Sequence, residues 1–154
     1  MIDPGRVFPD LRARTVDEAL FEMARGLAAH GVIEDPADLA ERLVRRERDA
    51  CTGVGQGIAL PHCRVSSVHD VVLSLGVSAS GIDFGAADGI PVTLLFLLLS
   101  PKEAPGAHLE ALARITRLVR APGLPDRLRR APSREAIAQL LWEADAPALT
   151  AAPA

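Results

Sequence analysis

The sequence predicts an α/β protein, a three-layer α/β/α sandwich with a central mixed β-sheet flanked by helices. Three observations carry that expectation. Residues 92–99 are apolar at nearly every position, as in a central strand covered on both faces. Amphipathic helical stretches stand on both sides of that run in the chain, two before it and two or three after. Shorter extended segments, punctuated by glycine and proline, lie between the early helices and the apolar run.

The totals agree. With 154 residues, 49% of them hydrophobic, the chain is expected to form one domain over residues 1–143, with 144–154 as a flexible C-terminal tail. A formal net charge of −3 is too small to point to nucleic acid. The opening Met1-Ile2-Asp3-Pro4-Gly5-Arg6 lacks the basic start and apolar run of a secretory signal. The apolar strand is too short to cross a bilayer, so no direct membrane insertion is expected. Cys51 and Cys63 give neither a disulfide framework nor a zinc spacing. A cytoplasmic protein with free thiols is the simplest reading.

In chain order, Arg6-Val7-Phe8-Pro9-Asp10-Leu11 reads as a short edge strand or an extended arm, the proline favouring an edge. Thr15-Val16-Asp17-Glu18 has the form of a capping box, in which Thr15 and Glu18 each bond the other's free N–H. Val16, Ala19, Leu20, Met23 and Leu27 then recur at helical spacing until Gly31. A second helix opens at Asp35-Pro36, an N-cap followed by the proline favoured at the first helical position. Its inner face is Leu39, Ala40, Leu43 and Val44, and Arg46 lies near its C-terminal end. Residues 66–70 form a loop, 71–77 a strand, and 81–85 a turn or short extended piece before the tight turn at Asp88-Gly89. After the apolar strand, residues 100–106 read as a loop. A helix over about 107–120 buries Leu109, Leu112, Thr116 and Val119 in one stripe, with Ile115 beside it. Pro122-Gly123 ends that helix, a short one around 125–130 follows, and Ser133 caps a last helix ending near Trp142.

The chemistry concentrates in Thr52-Gly53-Val54-Gly55-Gln56-Gly57-Ile58-Ala59-Leu60-Pro61-His62-Cys63-Arg64. Its glycines let the backbone turn tightly and approach a ligand. Ile58-Ala59-Leu60 suits a short buried strand, and Pro61, with no N–H, ends the ladder and delivers His62 to the strand's edge. The glycines fit neither the dinucleotide fingerprint nor a P-loop: the spacing is wrong and no Lys-Ser/Thr follows. His62 and Cys63 point to opposite faces of an extended chain, so they make no nucleophile pair. No metal-ligand spacing is present, and His30 and His69 are read as solvent-facing.

These residues closely resemble the phosphorylation-site signature of the enzyme IIA domain of the fructose–mannitol type (type 2). That module belongs to the bacterial phosphoenolpyruvate-dependent phosphotransferase system and includes the nitrogen-branch regulators. The resemblance extends to Arg46-Glu47, to Gly81-Ile82-Asp83-Phe84 and Asp88-Gly89-Ile90-Pro91-Val92, and to Leu95-Phe96-Leu97-Leu98-Leu99 with Ala107-His108-Leu109-Glu110-Ala111-Leu112, roughly residues 6 to 143. Two departures are small: Cys51 stands where serine is usual and Cys63 where glycine or alanine is usual. Cys63 would open the site to oxidation.

The resemblance implies that His62 accepts a phosphoryl group from phospho-HPr or a nitrogen-branch HPr homologue. It then passes the group to an enzyme IIB, or keeps it as a signal to a regulated kinase or transporter. His108 takes the place of the second active-site histidine, a hydrogen-bond donor to the phosphoryl group, and Arg46 that of the charge-stabilising arginine. Such a transfer asks for positioning and charge compensation, which a neutral imidazole, a guanidinium and backbone N–H groups from the glycine turn would supply. Histidine-to-histidine transfer requires no cofactor and no metal. Arg64 is read as a surface or partner-facing charge. The sequence carries no permease domain, which favours the regulatory branch over sugar transport. The alternative is a non-catalytic docking module of the same fold, for which retention of His62 is a poor fit.

Overall fold

The computed structural model describes residues 2–145. A 3-10 turn at Pro4–Arg6 leads into strand β1 (Val7–Phe8) and helices α1 (Val16–Ala29) and α2 (Pro36–Asp49). Strands β2 (Gly53–Gly55), β3 (Ile58–Ala59), β4 (His62–Val65), β5 (Val72–Ile82) and β6 (Val92–Pro101) follow. Helices α3 (Pro105–Val119), α4 (Leu124–Arg130) and α5 (Arg134–Asp145) complete the order.

The apolar run is the central strand, as its composition requires. β6 pairs antiparallel with β5 on one side and parallel with β3 and β4 on the other. β1 lies parallel to β5 at one edge, and β2 lies antiparallel to β3 at the other. The pleat sorts the leucines of β6 into two cores. Leu95, Leu97 and Leu99 pack with Leu20, Met23 and Leu27 of α1 and Leu39 and Leu43 of α2. Leu94, Phe96 and Leu98 face Ile115 and Leu118 of α3, Leu128 of α4, and Ile137 and Leu141 of α5. All six β6 side chains are at most 1% exposed, and burial of each contributes about 1.5–3 kcal/mol. The result is the three-layer sandwich around a mixed sheet.

Local signals place the early helices well. Thr15 Oγ1 accepts from Glu18 N at 3.2 Å, and Asp35 Oδ1 accepts from Asp38 N at 3.0 Å. The return half of the capping box is absent, because the Glu18 carboxylate accepts from Arg14 N instead. The N-terminal segment is both of its anticipated forms. β1 spans two residues, and beyond Pro9 the arm runs on until Leu11 N bonds Val77 O at 2.9 Å.

Several expectations need correcting. Gly81 and Ile82 are the end of β5, beyond a register shift after Val77, and not a separate turn. Ser100 and Pro101 belong to β6, and the next helix starts at Pro105 rather than about 107. That helix is also rotated from the expected stripe. Leu109 is 68% exposed, while His108, Ile115 and Leu118 are buried. Pro61 does not end the ladder. It lacks a donor, but its carbonyl accepts from Leu98 N at 2.9 Å and pairing resumes at His62 in the same register. The last helix, with Ser133 Oγ accepting from Ala136 N, continues past Trp142 to Asp145. Ala144 and Asp145 of the anticipated tail are therefore helical, and 146–154 lie outside the described residues.

Candidate active site

His62 opens β4, and its ring orientation is set two residues upstream. Nδ1 lies 2.7 Å from the Leu60 carbonyl oxygen. A carbonyl only accepts, so Nδ1 carries the proton and Nε2 keeps its lone pair. Arg46 Nη2 stands 3.3 Å from that Nε2, and a guanidinium only donates, which fits the same tautomer. Arg46 comes from the last turn of α2 and also donates through Nη1 to the Ala50 carbonyl at 3.2 Å.

The turn between α2 and β2 is held by the next residue. Glu47 accepts from both Thr52 N and Thr52 Oγ1, each at 2.6 Å. Thr52 is buried, and this two-point clamp ties the helix end that bears Arg46 to the chain leading toward His62.

His108 lies in the first turn of α3, where Pro105 supplies the preset backbone of the first helical position. Its ring is buried against that of His62, with centroids 5.3 Å apart and planes at 51°. Nδ1 is hydrogen-bonded to Ser100 Oγ at the end of β6. Burial, reinforced by the neighbouring His62 ring and by the positive charge of Arg64 and Arg46, pulls the His108 pKa below the ordinary histidine value. The ring is therefore neutral at pH 7.

Arg46, His62, Cys63, Arg64, Lys102, Pro105, His108, Leu109 and Leu112 line a cavity of about 810 Å³. Arg64, Lys102 and Leu109 are exposed, so its mouth is cationic with an apolar lip. Cys63 packs against the α1–α2 core, and burial pushes its thiol up to about 11. The thiol therefore stays protonated at pH 7, which makes oxidation at this position slow.

The three candidate residues thus come together from α2, β4 and α3. The glycine turn does not join them. Its tip is bound at the opposite end of β6, where Gly57 O accepts from Thr93 N and Leu94 N, whereas His62 stands opposite Leu98. Thr93 and Leu98 are five residues apart, about 16 Å of extended strand. The role of the turn is structural. Gly55, Gln56 and Gly57 all have positive φ, and Arg129 braces the tip by donating to Gln56 O and Thr93 Oγ1. Lys102 and Ser100 were invisible as site residues in the sequence. The one available signal was the hydroxyl that follows the apolar run 94–99, eight residues before His108. His30 and His69 are exposed, as anticipated.

Comparison with known proteins adds an independent finding. A family model described as "Phosphoenolpyruvate-dependent sugar phosphotransferase system, EIIA 2" matches residues 1–144. A nitrogen regulatory protein of Pseudomonas aeruginosa is 36% identical over 141 residues, 92% of each chain. The fructose-specific EIIABC component of Bacillus subtilis is 30% identical over 136 residues, which are 88% of this chain and 21% of that longer protein. The crystal structure of nitrogen regulatory protein IIA-Ntr from Neisseria meningitidis has a TM-score of 0.82 at 28% identity, covering 91% of this chain and 95% of its own. Among the described residues no helix is long and apolar enough to cross a membrane.

Proposed function

The chain belongs to the EIIA 2 family of the phosphoenolpyruvate-dependent sugar phosphotransferase system, and from that premise we propose that it carries a phosphoryl group on His62 Nε2. The observation that carries this reading is the orientation of one ring. The Leu60 carbonyl holds the proton on Nδ1, and the free Nε2 lone pair faces Arg46 Nη2 at 3.3 Å.

The step is a displacement at phosphorus. The N–P bond of a donor phosphohistidine, on HPr or a nitrogen-branch homologue, breaks as the His62 Nε2–P bond forms. The donor nitrogen leaves with the electron pair, so the donor imidazole is regenerated. Positive charge develops on the His62 ring, and the Nδ1–H bond to Leu60 O strengthens with it. Negative charge on the phosphoryl oxygens meets the Arg46 guanidinium and an N–H of neutral His108. Arg64 and Lys102 at the mouth add positive potential, and Pro105, Leu109 and Leu112 offer an apolar seat for the partner.

Downstream, the group is either a signal or cargo for an enzyme IIB. The 36% identity to a nitrogen regulatory protein over 92% of each chain supports the signalling branch. A phosphate adds about −1.5 to −2 charge to a cationic face, enough to switch the binding of a kinase or transporter. The test is incubation with phosphoenolpyruvate, enzyme I and each type of HPr, read by intact mass for acid-labile phosphate. Uptake by the wild type and none by His62→Ala is the expected result, and the faster donor identifies the branch. A wild type that takes phosphate from neither donor overturns the carrier reading in favour of a docking module.

A further inference from the structure

We propose that Ser100 is a positioning residue of this site: its buried hydroxyl donates to His108 Nδ1 and so holds His108 as the Nε2–H tautomer that faces the phosphoryl group. The inference rests on the carrier reading of His62 and extends it to a residue outside the three candidates.

Ser100 is 0% exposed, and its Oγ makes one hydrogen bond among the described residues, to His108 Nδ1. Two arrangements are open. If Nδ1–H donates to Ser100 Oγ, the serine proton is left buried with no acceptor. If the hydroxyl donates to Nδ1, every buried polar group is satisfied and the ring proton sits on Nε2. The second arrangement is the one compatible with a buried pair, and no buried side-chain polar atom among the described residues lacks a partner.

The consequence is a matched pair of rings. Leu60 O fixes His62 with its proton on Nδ1 and its lone pair on Nε2, while Ser100 fixes His108 in the opposite state. One ring then attacks phosphorus and the other donates to the oxygens. Because His108 is held neutral, its donor capacity depends on the tautomer and not on protonation. Ser100 is well placed to hold this setting. Its backbone is locked opposite Arg64 in the β4–β6 ladder, two residues along from the His62–Leu98 pair.

Two readouts test this on the intact chain. Long-range proton–nitrogen NMR of the histidine rings reports each tautomer directly. The expected spectrum shows His108 as Nε2–H in the wild type and in Ser100→Thr, and as a mixture or Nδ1–H in Ser100→Ala. Phosphoryl uptake from phospho-HPr is the second readout. Loss of a whole preorganised donor slows such reactions by about 10²–10³, so a donor misdirected part of the time predicts about tenfold slowing in Ser100→Ala, restored by threonine. In a His108→Ala background the same serine change should have no further effect, since the two act as one unit. An unchanged His108 tautomer in Ser100→Ala, or equal slowing in both backgrounds, overturns the proposal. If the wild type takes up no phosphate, it is the carrier reading that fails, and the proposed role of Ser100 in transfer falls with it; the spectra then decide its hold on His108 alone.

Discussion

Arg46→Ala removes the guanidinium that sits 3.3 Å from His62 Nε2 and leaves the α2 backbone in place. A phosphoryl oxygen bonded through Nε2 would lie about 4 Å from that cation, where one pair of unit charges interacts by about 4 kcal/mol at an effective dielectric near 20. Arg46 is half-buried, so solvent screens part of this, and about 2–3 kcal/mol is a reasonable net figure. Applied to the transition state, that is about 30- to 150-fold in the rate of uptake. The assay is a time course of acid-labile phosphate by intact mass at saturating phospho-HPr, with thermal melting as a control for the lost bond to Ala50 O. Arg46→Lys should recover part of the rate, since it keeps the charge and loses the planar fork. An alanine variant that melts normally and takes up phosphate within threefold of wild type refutes the assignment of Arg46.

Two further predictions address the walls of the site. His108 has a folded pKa below its unfolded value near 6.5, so the unfolded chain binds the proton more readily. Its contribution is therefore unpenalised above that value and stability is lost as pH falls below it. Melting temperatures of wild type and His108→Gln from pH 8 to 5 should converge toward acid, and parallel curves would show that the ring is not desolvated. Leu109, 68% exposed at the cavity mouth, should tolerate Leu109→Ser within about 0.5 kcal/mol of stability while KM for phospho-HPr rises. An unchanged KM would move the partner's seat elsewhere.

What could be read from the sequence was whatever local chemistry decides. The nearly continuous apolar run gave the central strand, and Thr15, Asp35 and Ser133 gave three helix starts, because those signals need no partner. The orientation of α3 was not legible. Its sequence supports two adjacent stripes, Leu109-Leu112-Thr116-Val119 and His108-Ala111-Ile115-Leu118, each with three apolar residues and one polar one, so composition does not choose between them. The helix takes the second because His108 turns inward to Ser100 and His62, so a buried functional histidine decides what the binary pattern leaves open. The glycine turn misled for a related reason. Adjacency to His62 in sequence is not adjacency in space, because an extended strand carries the two apart, and the ladder through Pro61 depends on a carbonyl that the missing N–H does not touch.

The remaining question is why the histidine sits at this one position of the strand. His62 pairs with Leu98, whose side chain belongs to the α3–α5 core, and Cys63 pairs with Leu99, which belongs to the α1–α2 core. Among the described residues β4 pairs with β6 alone, and the α2 guanidinium reaches past its unpaired edge to the His62 ring. Register and edge together make the site. Exchanging the two residues, His62→Cys with Cys63→His, preserves composition and moves the imidazole by one residue. The period of two then turns the ring toward the α1–α2 core and away from His108. We expect the exchanged protein to take up no phosphate and to lose about 1–3 kcal/mol of stability by placing a polar ring among apolar side chains. Intact mass after incubation with the donor, beside a chemical melt, measures both. Phosphate on the exchanged chain at the wild-type rate would mean that the face of β4 does not decide the chemistry, and the geometric account of the site would have to be abandoned.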